Sequence, residues 1–286
     1  MSTTRQGLKK VNTLTFLQKK QAAEPITVIT AYDYSSAQLV EQAGLDCILV
    51  GDSLGMVMLG YENTLAVTME DMLHHCKAVR RGANYPLLVA DMPFMSYQVS
   101  PEDALRNAGR LLKEAGMDAV KLEGGSPRVD TIRRMVQTGI PVMGHLGLTP
   151  QSIHQLGGFR SQGKKAGPAR LIYEDAMRLE DAGCFSIVLE SIPARLAEKI
   201  SSSLSIPTIG IGSGAGCDGQ VLVYHDILGL FDQLKPRFVK TYANVGQVIL
   251  DALTAYKTDI VKKNFPGPEH TFEMNDEEWS AFLGSL

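Results

Sequence analysis

The chain has 286 residues, of which 44% are hydrophobic and 21% charged, with a formal net charge of -3. This composition is ordinary for a soluble globular protein and offers no basic surface for nucleic acid, which we exclude as a partner. No apolar run approaches the ~18 residues that cross a bilayer, and the four cysteines form no CxxC pair, so we expect a reduced, cytoplasmic protein without a membrane span, zinc knuckle or disulfide framework.

The segment before Glu24 is basic and contains no acidic residue, a pattern with two interpretations. It could be an organellar transit peptide. It could also be a short amphipathic helix through Leu14, Phe16 and Leu17 that covers the bottom of a barrel. We favour the helix.

Short apolar runs alternate with helix-period segments from residue 26 to about 260, which is typical of βαβ units in a parallel sheet. The predicted helices cover Ser35 to Ala43, Thr68 to Arg81, Pro101 to Ala115, Arg128 to Gln137, Ala169 to Ala182, Pro193 to Ser201, and Val245 onward. The eight predicted strands are ITVITAY, CILVG, PLLVA, AVKLE, PVMGH, SIVLE, PTIGIG and RFVKTY.

Eight such units close most simply into a (βα)8 TIM barrel, since no dinucleotide-type GxGxxG follows the first run. We therefore predict a single α/β domain over residues 1–286, with a barrel core of about 26–262 and a peripheral tail of about 263–286. The stretch from Cys217 to Leu230 is weakly patterned, so the strand count could be wrong by one.

Two connections are longer than helix-to-strand geometry requires, and both are rich in glycine. One runs from Ser53 to Val67 and the other from Leu146 to about Gly167. Long loops in compact domains are often lids or binding loops, and barrel active sites are built from the loops that follow strands. We predict two lids over the mouth of the barrel.

Five runs finish with an ionisable side chain: Asp52, Asp91, Glu123, His145 and Glu190. In a parallel barrel these positions converge on one mouth, where neighbouring carboxylates repel one another. A hard divalent cation relieves that repulsion, and ligation by oxygen atoms alone favours magnesium over zinc. The pattern predicts a magnesium site held by Asp52, Asp91 and Glu123.

Other residues near the predicted mouth have two interpretations each. Lys121 lies two residues before Glu123 and should point into the barrel, as a buried ion pair or as a contact to substrate. His145 could be catalytic or a core histidine bonded to backbone. The PTIGIGSGAG stretch could bind phosphate, although we favour glycines that leave room for substrate. Tyr32 could line the mouth and bind substrate, and Asp33 should cap the next helix.

Several motifs make the resemblance to a known family specific. The sequence resembles the ketopantoate hydroxymethyltransferase family, of the phosphoenolpyruvate/pyruvate barrel superfamily, over roughly residues 11 to 265. The segments that carry this resemblance are VNTLTFLQKK, ITAYDYSSAQLVEQAG, VGDSLGMVMLGYENTLAVTMEDM, ADMPFMSY, AVKLEGG, PVMGHLGLTPQ and PTIGIGSG.

The resemblance implies roles for individual residues. Asp52, in VGDS, would be a metal ligand, and Ser53 would contact the substrate carboxylate. Asp91, in ADMPF, would be a second metal ligand and a substrate contact. In VKLEGG, Lys121 would bind substrate and Glu123 would join the metal site.

The resemblance also implies a reaction. Hydroxymethyl transfer from 5,10-methylenetetrahydrofolate to 3-methyl-2-oxobutanoate would give 2-dehydropantoate in pantothenate biosynthesis, through a magnesium-stabilised enolate and in a homodecamer. Glu190, in VLES, would be the base that removes the C3 proton, and His145, in GHLG, would lie near the transferred carbon. None of these positions departs from the family's pattern.

Two other functions remain open at this point. One is a carbon-carbon lyase or phosphonomutase of the same superfamily, which would typically carry an active-site cysteine in the lid after the fifth strand; this chain has none there. The other is a non-catalytic barrel that binds small acids or folate. The acidic rim argues against an inert barrel, because such a barrel has no need to hold three carboxylates together.

Overall fold

The structure, a computed structural model, describes residues 9–233 and 236–286. Eight parallel strands pair in chain order, and β1 pairs with β8 to close the barrel. This confirms the predicted single-domain TIM barrel. The strands are β1 (Ile26–Thr30), β2 (Cys47–Val50), β3 (Leu87–Asp91), β4 (Ala119–Lys121), β5 (Val142–Gly147), β6 (Ser186–Glu190), β7 (Thr208–Ile211) and β8 (Gly219–Leu222).

Helices surround the barrel, and the seven predicted from the sequence are present within a few residues of their expected ends. The α-helices of the described chain are α1 (Thr13–Gln21), α2 (Tyr34–Ala43), α3 (Leu54–Val57), α4 (Met69–Gly82), α5 (Pro101–Lys113), α6 (Val129–Gln137), α7 (Ile153–Leu156), α8 (Ala166–Asp181), α9 (Ala194–Ser203), α10 (Tyr224–Leu228), α11 (Val245–Lys262) and α12 (Asp276–Gly284). Short 3-10 helices cover Ser126–Arg128, Pro150–Ser152 and Pro268–His270.

Local side-chain chemistry sets where several helices begin and end. The predicted cap Asp33 accepts a hydrogen bond from the backbone N–H of Ser36, and Thr68 does the same for Asp71. A repeated turn ends three helices just before a strand, with a glycine in the left-handed region that disfavours other residues. Its three glycines are Gly44, Gly116 and Gly183.

The eighth strand was predicted at the wrong place. It is Gly219–Leu222, which pairs with β1 on one side and β7 on the other. The run RFVKTY, residues 237–242, belongs to no helix or strand. Because β8 follows β7 after a short turn, this connection holds no helix, and RFVKTY lies beyond the closed barrel.

The interior of the barrel follows the two-residue period of a strand. On β3, for example, Leu87 and Val89 belong to the inner apolar cluster, and Asp91 continues the same face at the carboxyl end. At the opposite end α1 places the fully buried Phe16 edge-on against Phe185. The predicted N-terminal helix is therefore confirmed, and Phe16 is its buried residue, whereas Leu14 is 65% exposed and does not cover the barrel as predicted.

The C-terminal helices lie apart from this core. No residue of α11 or α12 is buried, although α11 carries a series of large apolar side chains. Val248, Leu250, Leu253 and Val261 are all more than half exposed. No helix in the described part of the chain is long and apolar enough to cross a membrane.

Candidate active site

A cavity of about 370 Å3 opens at the carboxyl end of the barrel. The structure brings the predicted ionisable residues together there, and Lys121 and Ser53 join them. Both predicted lids border the cavity, through residues such as Met56 and Phe159. The ionisable side chains from the strand ends are Asp52, Asp91, Glu123, His145 and Glu190.

Asp91 and Lys121 form a buried ion pair at the centre of this site. Their side chains face each other in register on β3 and β4, and the Lys121 Nζ donates to Asp91 Oδ1 at 2.7 Å. Only 6% of the Lys121 side chain and 4% of the Asp91 side chain are exposed. Burial opposes the charge on Lys121, but Asp91, Glu123 and Asp52 outweigh it and raise the lysine pKa above its usual range. The predicted inward orientation of Lys121 is confirmed.

Asp52 is the carboxyl group whose charge is least compensated. Burial raises the pKa of Asp52 to about 8, and the nearby charges of Asp91 and Glu123 act in the same direction. Lys121 and a hydrogen bond from Gln151 oppose the rise without cancelling it. At neutral pH Asp52 therefore keeps its proton, and a cation bound beside it would favour its ionised form.

Gln151, which sequence reasoning missed, ties the second lid to the acidic groups. Its side-chain amide donates to Asp52 Oδ2 and to the carbonyl oxygen of Met92, both at 2.9 Å. Its backbone N–H donates to Glu123 Oε2 at 3.0 Å, and its Oε1 accepts from the Tyr97 hydroxyl at 2.6 Å. Four short contacts on one residue fix both the lid and the two carboxylates.

His145 lies between two carboxylates. Its Nδ1 is 3.4 Å from Glu123 Oε1 and its Nε2 is 3.2 Å from Glu190 Oε2, although neither contact has the alignment of a hydrogen bond. Burial and the Lys121 charge lower the pKa of His145, but Glu123 and Glu190 raise it by more, to about 9. At neutral pH the ring is therefore a buried imidazolium that lies between two carboxylates, and among the described residues it makes no hydrogen bond to backbone.

Tyr32 supports the site from behind. Its side chain is buried, and its hydroxyl lies 2.8 Å from Ser53 Oγ. Tyr32 is absent from the cavity wall, whereas Ser53 is part of it. Tyr32 is thus placed to orient Ser53 rather than to contact a bound molecule itself.

The acidic groups do not form a ready-made metal cage. Within residues 9–233 and 236–286, no three His, Cys, Asp or Glu side chains are arranged so that they could hold an ion. Asp91 already bonds to Lys121, and Glu123 bonds to the Gln151 backbone. The predicted three-carboxylate ligand set stays a prediction, and the excess negative charge around Asp52 is the observation that favours a cation.

The glycines after β7 were expected to leave room for substrate, and this interpretation is wrong. A Cβ atom on Gly212 would lie 2.6 Å from the ring of Phe238, and one on Gly214 would lie 2.5 Å from Ala194 Cβ. The glycines therefore admit protein side chains. Phe238 lies in RFVKTY, the segment wrongly predicted as the eighth strand, and it lines the cavity together with Arg237.

Comparison with known proteins shows which family this chain belongs to. The sequence profile of the ketopantoate hydroxymethyltransferase family matches residues 10–268. The chain belongs to this family. It is 56% identical over 266 residues to the 3-methyl-2-oxobutanoate hydroxymethyltransferase of Clostridium novyi, covering 93% of this chain and 97% of that protein. The enzyme of the same name from Syntrophus aciditrophicus is 55% identical, covering 95% and 100%.

Membership of the ketopantoate hydroxymethyltransferase family confirms the resemblance seen in the sequence. The chain is therefore an enzyme, a hydroxymethyltransferase of pantothenate biosynthesis. The non-catalytic alternative is set aside.

Solved structures with low sequence identity share the fold. A phosphonopyruvate hydrolase, in complex with oxalate and Mg++, matches with a TM-score of 0.59 at 12% identity, covering 96% of this chain and 98% of that one. A 2,3-dimethylmalate lyase matches with a TM-score of 0.55 at 16% identity, covering 96% and 94%. These matches show the shared barrel fold alone, whereas the relatives at 55–56% identity are named as hydroxymethyltransferases.

Proposed function

We propose that the chain transfers a hydroxymethyl group from 5,10-methylenetetrahydrofolate to 3-methyl-2-oxobutanoate, giving 2-dehydropantoate, with Mg2+ as its metal. One observation carries this proposal: a candidate base, Glu190, faces the same cavity as the buried Asp91–Lys121 pair and the uncompensated Asp52. Such a cavity can bind a small acid and remove a proton from it.

Asp52 and Asp91 would hold the metal, with Glu123 as the third acidic group. Magnesium usually binds through one or two carboxylates together with water and substrate oxygens, so it needs no complete protein cage. Burial and the charges of Asp91 and Glu123 raise the pKa of Asp52, and a divalent cation would offset both effects and favour the ionised carboxylate. When bound, Mg2+ supplies Lewis-acid polarisation of a 2-oxo group.

Glu190 would take the C3 proton of the 2-oxo acid. Its side chain is 14% exposed at the end of β6, and its Oε2 faces His145 Nε2 at 3.2 Å. The imidazolium of His145 holds one oxygen of this carboxylate, while the other remains available as a general base. C3 of the substrate would then form a bond to the methylene carbon of the folate as the bond from that carbon to N10 breaks, and N10 takes up the proton removed from C3. Water would next replace the remaining bond to N5, so that its oxygen stays on the carbon as the hydroxyl of the product and its proton goes to N5 of tetrahydrofolate.

Lys121 and Ser53 would bind the anionic part of the substrate. The Lys121 ammonium is already placed by Asp91, and the Ser53 hydroxyl is placed by Tyr32. Because both partners are buried, neither group needs to reorganise when substrate arrives. This preorganisation strengthens contacts to charge that develops on the substrate.

The test is Mg2+-dependent exchange of the C3 proton of 3-methyl-2-oxobutanoate with solvent deuterium, measured by NMR without folate. We expect exchange in the wild type, none in Asp52→Ala or Asp91→Ala, and slow exchange with near-normal substrate binding in Glu190→Gln. Glu24→Gln, an exposed residue far from the mouth, is the matched control. Unchanged exchange in Glu190→Gln would remove Glu190 from the role of base.

We also propose that the enzyme is a homo-oligomer, and a decamer by its family resemblance. Two apolar surfaces support assembly: the exposed face of α11, and a groove of about 930 Å3 on the outside of β8 and β1, lined by Leu45, Leu222 and Ile227 among others. Soluble monomers rarely expose a contiguous surface of many large apolar side chains. Another copy of the chain would cover both surfaces.

Light scattering after size exclusion tests this assembly. We expect the wild type near ten times the 31.1 kDa mass of the chain. Leu253→Glu, on the exposed face of α11, should give smaller species, whereas Gln247→Glu on the same helix should not. A monomeric wild type contradicts the proposal.

We further propose that the enzyme works in the cytoplasm. Its cysteines are free, and Cys47, Cys76 and Cys184 are buried. Free thiols fit a reducing compartment, where disulfides rarely persist.

A further inference from the structure

One part of the cavity wall has no role in the chemistry proposed above. The charged groups come from β2 to β6, whereas the segment after β8 supplies Asp226, Phe231, Arg237 and Phe238. In the closed ring of eight strands, β8 lies across from β4, so this segment faces Lys121 from the other side.

Asp226 is an isolated acid in this segment. It lies in the first turn of α10, and within the described residues its carboxylate has no ion pair and no side-chain hydrogen bond. The apolar residues Leu222, Val223 and Phe231 line the same cavity. Burial raises the pKa of Asp226 to about 6. A carboxylate in such surroundings is costly unless hydrogen-bond donors reach it.

Phe238 offers the flat apolar face that accompanies this acid. Its ring is held against Gly212, where any side chain would collide with it. Arg237, next to it, lines the cavity but is exposed, and within the described part of the chain it forms no salt bridge. An acid, an aromatic ring and a rim cation suit a planar heterocycle that carries N–H donors on one edge and an anionic tail.

A cavity of about 370 Å3 lies in the range of roughly 300–1,000 Å3 that holds drug-sized ligands. It therefore has room for more than a small 2-oxo acid. The second molecule must reach C3 of the first, so it has to enter the same mouth.

We propose that Asp226, Phe238 and Arg237 form the subsite for the reduced folate, an inference that rests on the proposed function. The Asp226 carboxylate accepts hydrogen bonds from the ring N–H and the adjacent amino group of the pterin. Phe238 packs against the pterin ring, and Arg237 meets the carboxylates of the glutamyl tail. Bidentate contact of two parallel donors with one carboxylate gives both affinity and orientation.

The experiment measures tetrahydrofolate binding by calorimetry in parallel with folate-free C3 exchange. Asp226→Asn keeps the shape of the side chain but turns one acceptor into a donor, so we expect tetrahydrofolate affinity to fall about ten- to a hundredfold. Phe238→Leu should weaken it about two- to tenfold. Asp232→Asn is the matched control, because this nearby aspartate is exposed and lies off the cavity wall.

A second probe separates the two parts of folate. p-Aminobenzoylglutamate lacks the pterin, so its affinity should be unchanged in Asp226→Asn and reduced in Arg237→Gln. C3 exchange in all these variants should stay within about twofold of the wild type, because none of them touches the proton-removing groups.

The outcomes are distinguishable. Wild-type tetrahydrofolate affinity in Asp226→Asn, with exchange intact, overturns the subsite and leaves the proposed function standing. Equal loss of exchange and of tetrahydrofolate binding also overturns it, since Asp226 would then serve the fold. Absence of exchange in the wild type counts against the proposed function itself.

Discussion

Replacing Lys121 by methionine tests how the buried charges depend on one another. Lys121→Met keeps the length of the side chain but leaves Asp91 without its partner at 2.7 Å. Removing one member of a buried ion pair costs about 3–5 kcal/mol of stability. We expect the lower end, about 3 kcal/mol at pH 7, because the carboxylate that loses its partner can take up a proton in place of the lost charge.

That proton uptake gives the prediction a sign in pH. A folded variant that binds one extra proton loses stability relative to the wild type as pH rises, by up to about 1.4 kcal/mol per pH unit. The deficit of Lys121→Met should therefore shrink towards pH 5 and grow towards pH 8. Urea unfolding at several pH values, without metal and at matched protein concentration, measures it.

A double-mutant cycle with Asp91→Asn isolates the pair. The double variant should be more stable than the sum of the two single losses predicts, by about 1–3 kcal/mol. Asp103→Asn, on an exposed i,i+3 pair with Arg106, is the control and should change stability by less than about 1 kcal/mol. Additive losses, or a deficit that does not vary with pH, would refute the reasoning.

Three further predictions concern residues in and next to the active site. In metal-free protein the His145 ring should titrate near pH 9 when it is followed by NMR, and Glu190→Gln should lower that midpoint. Because the folded-state pKa is raised, the stability contributed by the protonated ring is complete below about pH 6.5 and is lost as pH rises through 9. Gly147→Ala should lower the melting temperature and slow C3 exchange, because the new Cβ atom would lie 2.2 Å from the Glu190 carbonyl oxygen. Gly139→Ala is the control: Gly139 also has a positive φ, but its Cβ would meet open space, so the melting temperature should fall less. Gln151→Leu should lower the free energy of unfolding in urea by about 1–3 kcal/mol, because it leaves the buried groups of Asp52 and Tyr97 without a hydrogen-bond partner. A smaller loss would show that water replaces the amide.

The positions of the ionisable side chains could be predicted because strands have a short, regular period. Once a run is assigned to a parallel barrel, alternate residues face the interior, and the last of them reaches the mouth. Asp91 and Lys121 follow this rule and are neighbours in register. Their contact required no knowledge of distant parts of the chain beyond the fold.

The eighth strand could not be predicted in this way. Gly219–Leu222 has four residues, among them a glycine and a glutamine, so its pattern is weaker than that of RFVKTY. Its pairing is decided by β1, which lies almost two hundred positions earlier and must close the ring. Such closure is a property of the whole sheet, and local propensity does not report it.

Gln151 and Asp226 were missed for a related reason. Each lies in a short helical segment, where a single glutamine or aspartate carries no local signal because its role depends on what the fold places beside it. Gln151 meets Asp52 across 99 positions of sequence. The GLTPQ motif that contains Gln151 was noted for its resemblance only, and a search for buried amides near acidic strand ends would have found it.

The strand pairing that closes the barrel is complete at Leu222, yet six later residues still contribute to the cavity wall: Val223, Asp226, Phe231, Pro236, Arg237 and Phe238. This part of the wall lies outside the hydrogen-bonded frame, so substitutions there leave the strand ladders intact. If this wall forms the proposed folate subsite, an engineer can change which donor molecule the enzyme accepts by varying these residues, while the residues proposed to handle the proton stay fixed on the other strands.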